Sequence, residues 1–466
     1  MKRRIILCVL IGLLSLSLAQ SLLQGALKLP VPEKIVLANG LTVYYLHNSE
    51  LPLISLRMFV AGAGSAYDPA ALEGLAGLTA NLMLKGNASQ NAEAIAEELD
   101  FMGAGLLFSA ADEYAQVNAV SLAEHFPRVL EIATASLTGP TFPEEEFTRE
   151  RSRWVDRLAA IKDNPNRAVR LYFRKAYFGT HPLGRLSSGT ENSLNKLAVS
   201  DIVRFYRERY RPDLCLAAVA GDIDKAKLEG LLQATLGRWG KPSAPAPALS
   251  LPPLPVPKGK SLLLVDKPDA TQAYFVLGAP GYAAGDPVDP AATVMNTLFG
   301  GRFTSWLNTE LRIKRGLTYG AGSNFQDWRK GGLFTAVSYT KNDKIGEMLD
   351  ITLGLLNQGK TKGFTATEAQ SGRNFVLGMY PLTLEENAVR AETFLRLAFY
   401  GLGMDTLDRF LASVEKMTAQ TISQAAAKLL PGRDFVLVVV GKASEVKPLL
   451  QKFGAWREKK VSDPGF

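Results

Sequence analysis

The sequence predicts an α+β protein made of two similar halves, each a mostly antiparallel sheet flanked by helices. Three observations support this. Strand-like and helix-like segments alternate along the chain, hairpin signals set neighbouring strands antiparallel, and the order of segments before Lys241 recurs after Lys260.

The first half opens on a hairpin, with Ile35-Val36-Leu37 and Leu41 to Leu46 joined by an Asn39-Gly40 turn. A strand from Leu53 to Val60 follows and is broken by Ala61-Gly62-Ala63-Gly64. A helix is then expected from about Pro69, since proline is tolerated in a first helical turn. The second half repeats this order with strands Ser261 to Val265 and Ala273 to Gly278, a Pro280-Gly281 break and a helix from about Pro290. The halves also end alike. A helix N-capped by Ser200 and running through Tyr210 precedes strand Leu214 to Ala220. A helix starting at Thr418 or Thr421 and ending at Leu430 precedes strand Phe435 to Val440. Between them, residues 241–260 read KPSAPAPALSLPPLPVPKGK. This run holds seven of the 25 prolines, too many for a helix and suited to an extended, semi-rigid connector. The expected organisation is a first domain over 31–240, a connector over 241–260 and a second domain over 261–454.

Residues 1–19 are expected to be removed. Lys2, Arg3 and Arg4 precede an apolar run from Ile5 to Leu18, and Ser17-Leu18-Ala19 supplies the small residues read by a signal peptidase. The run is shorter than the roughly 20 residues that span a bilayer. Export to the periplasm or outside the cell is therefore expected, with no membrane span in the mature chain. Cys8 lies within that segment after Leu7, which is not the small residue a lipid attachment site needs. Cys215 is then the only mature cysteine, so no internal disulfide forms, and its apolar neighbours predict core packing. The net charge of +8 loses three units with Lys2, Arg3 and Arg4. The remaining basic residues are interleaved with Glu along helices, which argues against a nucleic-acid partner. The three histidines, His47, His125 and His181, have no metal-ligand spacing, and ordinary packing or surface roles are expected for each. No G-x-S-x-G nucleophile elbow occurs.

The stretch Gly74-Leu75-Ala76-Gly77-Leu78-Thr79-Ala80-Asn81-Leu82-Met83-Leu84-Lys85-Gly86 resembles the signature GLAHFLEHMLFKG of the M16 zinc metallopeptidases, the pitrilysin and mitochondrial-processing-peptidase family. In that pattern two histidines on one helix face grip Zn²⁺, and the glutamate between them takes a proton from the metal-bound water. Here the histidine positions hold Gly77 and Asn81, and the glutamate position holds Ala80. The family's third ligand, a glutamate on a helix opening with Phe-Pro-Glu-Glu-Glu, falls on or beside Arg157 in the helix from Phe142 to Ile161. The resemblance thus implies two LuxS/MPP-like metallohydrolase domains whose zinc site is degenerate at Gly77, Ala80, Asn81 and Arg157, with no metal in this chain.

A second stretch, Asn296 to Tyr319, is similar to the family segment LGGG-x-SSRL-x-x-x-LREKRGLAY. There an Arg and a Tyr seven residues apart approach the zinc site from the opposing domain, and Arg312 and Tyr319 keep that spacing. An Arg fork holds substrate backbone or carboxylate groups, and a Tyr hydroxyl donates to a carbonyl oxygen gaining charge. Gly300-Gly301 is shorter than the long glycine-rich loop of the mitochondrial non-catalytic subunits. The resemblance, covering about Ile35 to Gly454, implies a non-catalytic subunit. It would lend Arg312 and Tyr319 in trans to a zinc-bearing M16 partner with an intact HxxEH, and the pair would enclose an unfolded peptide. The alternatives are a purely structural subunit and a stand-alone module that binds extended peptides by strand addition.

Overall fold

A computed structural model of the chain describes residues 31–466, so the expected export signal lies outside the described residues. The Asn39-Gly40 turn forms as anticipated. Gly40 sits at φ 94°, where a side chain is strained, and the Leu37 amide donates to the Leu41 carbonyl at 2.9 Å. This closes β1 (Glu33–Val36) onto β2 (Thr42–His47). With β3 (Leu53–Ala61), β4 (Gly105–Ala110), β5 (Tyr114–Leu122) and β6 (Cys215–Gly221) they form a sheet of order β1-β2-β6-β3-β5-β4. A second sheet of order β12-β7-β11-β8-β10-β9 is built from β7 (Lys260–Asp266), β8 (Gln272–Pro280), β9 (Ala321–Trp328), β10 (Gly331–Lys341), β11 (Phe435–Gly441) and β12 (Arg457–Lys460).

The two sheets match strand for strand. β2, β6, β3, β5 and β4 correspond to β7, β11, β8, β10 and β9, with one parallel pair followed by three antiparallel pairs in each. Only the outermost strand differs, being β1, antiparallel, in one sheet and β12, parallel, in the other.

The central strands read as unbroken apolar runs because both of their faces are covered. Along β11, Phe435, Leu437 and Val439 enter one core, and Val436, Val438 and Val440 enter another. Along β6, Cys215, Ala217 and Val219 face one core, and Ala218 and Ala220 the other. The helices that matter for the site are α1 (Leu75–Leu82), α2 (Glu144–Asp163), α3 (Pro165–Phe178), α4 (Val199–Arg209), α5 (Asp289–Asn296), α6 (Asn387–Tyr400) and α7 (Ala419–Leu429). α1 packs on α4 in the first half, as α5 packs on α7 in the second. The remaining face of each sheet is covered by a helix from the other half. α3 lies on β8 and β11, burying Val169, Tyr172 and Phe173 against Val276 and Val438. α6 lies on β3 and β6, burying Phe394 and Leu395 against Phe59 and Ala218. Gly278 marks how close the first contact is, because a β-carbon there would meet Phe173 Cζ at 2.2 Å.

Two helix starts differ from expectation. The helix expected from Pro69 begins at Leu75, because the Asp68 carboxylate accepts from the amides of Gly74 (2.9 Å) and Ala76 (2.8 Å), capping the helix there. The helix expected to be capped by Ser200 begins at Val199. Its N-cap is Ala198, whose amide donates to Asp201 at 3.1 Å. Thr418 does cap α7, accepting from the Thr421 amide. Residues 241–258 hold neither helix nor strand but are tied down along their length. Arg211 donates to the carbonyls of Ala244 and Pro245, Tyr67 to that of Leu249, and His181 Nε2 lies 3.1 Å from that of Pro252.

Candidate functional site

α1 is almost wholly buried, and the Asp68 cap fixes its start. Burial pushes the Asp68 carboxyl up to about 8, although two backbone amides and the nearby Arg185 pull the other way. α2 carries Glu144, Glu145 and Glu146 in its first turn, where carboxylates complement the helix dipole. It is clamped to the end of α1 through Glu150, which is 2% exposed and held by Lys85 (3.1 Å) and Arg153 (2.8 Å). Burial would raise the Glu150 pKa, but the two cations more than reverse this and leave it below the usual carboxylate range.

Between α1 and α2 lies a cavity of about 330 Å³, and Gly77, Asn81 and Arg157 all line it. Three of the four positions singled out from the sequence therefore meet at one place. Ala80, the fourth, is fully buried in the core and does not reach the cavity. Phe108 and Ala110 of β4, the free edge strand of the first sheet, form one wall. Leu158 and Ile161 of α2 form another.

These residues do not compose a zinc site. Gly77 has no side chain and no room for one, since a β-carbon would lie 2.1 Å from the Ser187 carbonyl oxygen and 2.8 Å from Trp154 Cη2. Asn81 has its one good acceptor, Oδ1, covered and without a hydrogen-bond partner. Arg157 brings a cation, and Ala80 can neither bind metal nor accept a proton. Among the described residues, no group of three His, Cys, Asp or Glu side chains is placed to hold a metal ion. Trp154 was missed from the sequence although it lies three residues before Arg157 on the same helix face. The contact made by Ser187, 110 positions from Gly77, left no sequence signal.

Arg312 and Tyr319 occupy a different place and do not line this cavity. The chain reaches them through two π-helical turns, Thr297–Gly301 and Thr309–Ile313, irregularities frequent at functional sites. Gly300 permits the tight approach of the first turn to β9, where a β-carbon would meet the Ser323 amide nitrogen at 2.6 Å. The Arg312 guanidinium lies over the Phe303 ring, 4.7 Å from its centroid. Tyr319 is 80% exposed, two residues before β9. Neither side chain has a hydrogen-bond or ion-pair partner among the described residues, whereas neighbouring Lys314 and Arg315 both pair with Glu310.

The three histidines make local contacts. His47 Nδ1 lies 3.2 Å from the Ile223 carbonyl, His181 Nδ1 accepts from the Leu183 amide, and His125 sits at a helix start 3.9 Å from Glu124. Cys215 is buried, its thiol donates to the Arg211 carbonyl, and burial raises its pKa well above the ordinary value. No helix among the described residues is long and apolar enough to cross a membrane.

Comparison with known proteins accords with this architecture. Residues 43–191 match the insulinase family, peptidase family M16, and residues 196–375 match the peptidase M16 inactive domain. An uncharacterized zinc protease of Streptomyces coelicolor is 28% identical over 429 residues, covering 91% of this chain and 92% of that protein. A peptidase M16 inactive domain from Pseudomonas fluorescens superposes with a TM-score of 0.82 at 25% identity, over 89% of this chain and 98% of its own. A protease from Helicobacter pylori shares the fold, with a TM-score of 0.83 at 19% identity, over 88% of this chain and all of its own length (100%). With two matched M16 sheets, a cavity where the zinc motif would lie and family matches to both halves, the chain belongs to the peptidase M16 family.

Proposed function

We propose that this chain is the non-catalytic subunit of an exported heterodimeric M16 zinc endopeptidase. It binds peptide and lends Arg312 and Tyr319 to the zinc site of a second M16 subunit. The observation that carries the proposal is the contrast between two places in one chain. At the degenerate motif, Gly77 is closed off by Ser187 and Trp154, and no ligand set remains. At the Arg312–Tyr319 segment, an exposed tyrosine and an arginine without a carboxylate partner are left available to something outside the chain. Zinc and the general base belong to the partner. In its site the Arg312 fork holds substrate backbone or carboxylate groups, and the Tyr319 hydroxyl donates to the scissile carbonyl oxygen as charge develops there.

The test is Tyr319→Phe in the assembled heterodimer, with a quenched peptide substrate and size-exclusion chromatography as the check on assembly. Turnover should fall by roughly 10²–10³, the usual effect of losing one oxyanion donor, while assembly is kept. Full activity in both Tyr319→Phe and Arg312→Ala heterodimers would move a purely structural subunit ahead. The outer edge of β4, unpaired among the described residues, favours a second reading, a stand-alone module capturing extended peptide by strand addition. Peptide binding of equal strength with and without the zinc subunit would distinguish it.

A further inference from the structure

The cavity between α1 and α2 has a lining suited to an anion rather than to a metal ion. No carboxylate lines it, and its one ionic group is Arg157, exposed on α2 and without an ion-pair or hydrogen-bond partner among the described residues. Asn81 turns its amide oxygen into a covered position, so Nδ2, a donor, is the polar atom left to face the cavity. Ser109, Ser187 and Ser188 also line it, and none of their side chains has a hydrogen bond among the described residues. The polar side chains around the space, Asn81, Ser109, Trp154, Arg157, Ser187 and Ser188, all carry a donor, and the acceptors among them are the three hydroxyls and the covered Asn81 amide oxygen. The other walls are Phe108, Leu158 and Ile161. The volume of about 330 Å³ lies at the small end of the range for small-ligand pockets, about 300–1,000 Å³.

We propose that this cavity binds the C-terminal end of a peptide, with an apolar last side chain between β4 and α2 and the terminal carboxylate on Arg157 and Asn81 Nδ2. The proposal rests on the reading of the chain as a peptide-binding subunit and names the peptide end it takes. A terminal carboxylate suits the site because two acceptor oxygens match the guanidinium fork, and the low-dielectric apolar wall strengthens the pair. A peptide is favoured over a free fatty acid because β4, whose residues line the cavity, is a sheet edge unpaired among the described residues and able to hydrogen-bond an extended main chain. No bond is made or broken in this step.

Calorimetric titration of the isolated chain with N-acetyl-Leu-Phe, its C-terminal amide and octanoate tests the proposal without the zinc subunit. Its outcome is thus independent of whether Arg312 and Tyr319 act in trans. The free acid should bind about tenfold more tightly than the amide, the order expected for one charge-assisted hydrogen-bonded pair. Arg157→Gln should bring the two within about twofold by weakening only the acid, and Arg157→Lys should restore part of the difference. Arg157 is on the surface, so both variants are expected to fold, with circular dichroism as the check. Equal binding of acid and amide, an unchanged preference in Arg157→Gln, or no binding of either overturns the proposal. Octanoate binding as tightly as the peptide acid overturns the assignment to a peptide end.

Discussion

Placing the smallest side chain at position 77 sets two effects against each other, and their signs differ. Gly77 lies inside α1, where replacing glycine by alanine ordinarily favours the helix by about 1 kcal/mol. The new β-carbon, however, would sit 2.1 Å from the Ser187 carbonyl oxygen, 3.1 Å from its carbon and 2.8 Å from Trp154 Cη2. A carbonyl on the main chain cannot swing away as a side-chain tip can, and Leu186 beside it is 2% exposed, so the loop must move as a unit. Overpacking of this kind costs roughly 1–3 kcal/mol, and the backbone contact argues for the upper end. Gly77→Ala should therefore lose about 2 kcal/mol net, seen as a lower urea midpoint by circular dichroism with an unchanged slope. Equal or greater stability would refute the steric account, because helix propensity would then have won. If the account holds, combining Gly77→His, Ala80→Glu, Asn81→His and Arg157→Glu should still yield a chain without stoichiometric zinc by elemental analysis. The ring at 77 has nowhere to go until the Ser187 loop is displaced.

Two further predictions follow from the packing around this site. Asp68 has its folded pKa raised to about 8 from an ordinary 3.8, so the folded chain keeps a proton that the unfolded chain gives up. This group's contribution is fully present below about pH 4 and is lost as pH rises to about 8; Asp68→Asn should flatten that part of a urea-midpoint profile. Phe173→Ala removes a buried ring that joins α3 to the second sheet and should cost about 3–5 kcal/mol, measured as a shift in thermal or urea unfolding. The same variant should expose Trp328, which packs in that core, to solvent quenching of fluorescence.

Much of this arrangement was legible in the sequence, and the parts that were not share a cause. The strands around Leu53, Ala273 and Phe435 announced themselves because runs of apolar residues bounded by Gly and Pro fit little else. β12 was invisible, since Arg457-Glu458-Lys459-Lys460 has no apolar alternation and joins the sheet as an edge strand through its main chain. The crossing of α3 and α6 onto each other's sheets was invisible too. An amphipathic helix tells that one face is buried, not which sheet buries it. At α1, Pro69 offered a plausible helix start, and only the fold brings the Asp68 carboxylate to the amides of Gly74 and Ala76. Positions 77, 80, 81 and 157 were singled out through resemblance alone, because glycine, alanine, asparagine and arginine give no metal-ligand signal of their own.

The two places of interest differ in how they could have drifted, and the difference bears on function. At the cavity beside α1 the residues reinforce one another. Once Ser187 and Trp154 fill the space beside Gly77, a histidine at 81 has no partner and a glutamate at 80 has no water to deprotonate. Arg157 is then free of any demand for negative charge. At the other place nothing among the described residues demands Arg312 or Tyr319. Glu310 is already paired with Lys314 and Arg315, the Phe303 ring under Arg312 is itself exposed, and Tyr319 stands 80% in solvent. A half-buried cation over an exposed ring contributes only about 0.5–1 kcal/mol, too little to make either residue necessary for folding. Alanine at 312 or 319 should thus leave the stability of the isolated chain, read from its urea unfolding curve, within about 1 kcal/mol of the wild type. Loss of partner turnover in the same variants would then have to arise from contacts made outside the chain. If either alanine variant instead unfolds substantially earlier, that residue serves the fold, and its effect on turnover would no longer bear on the active site.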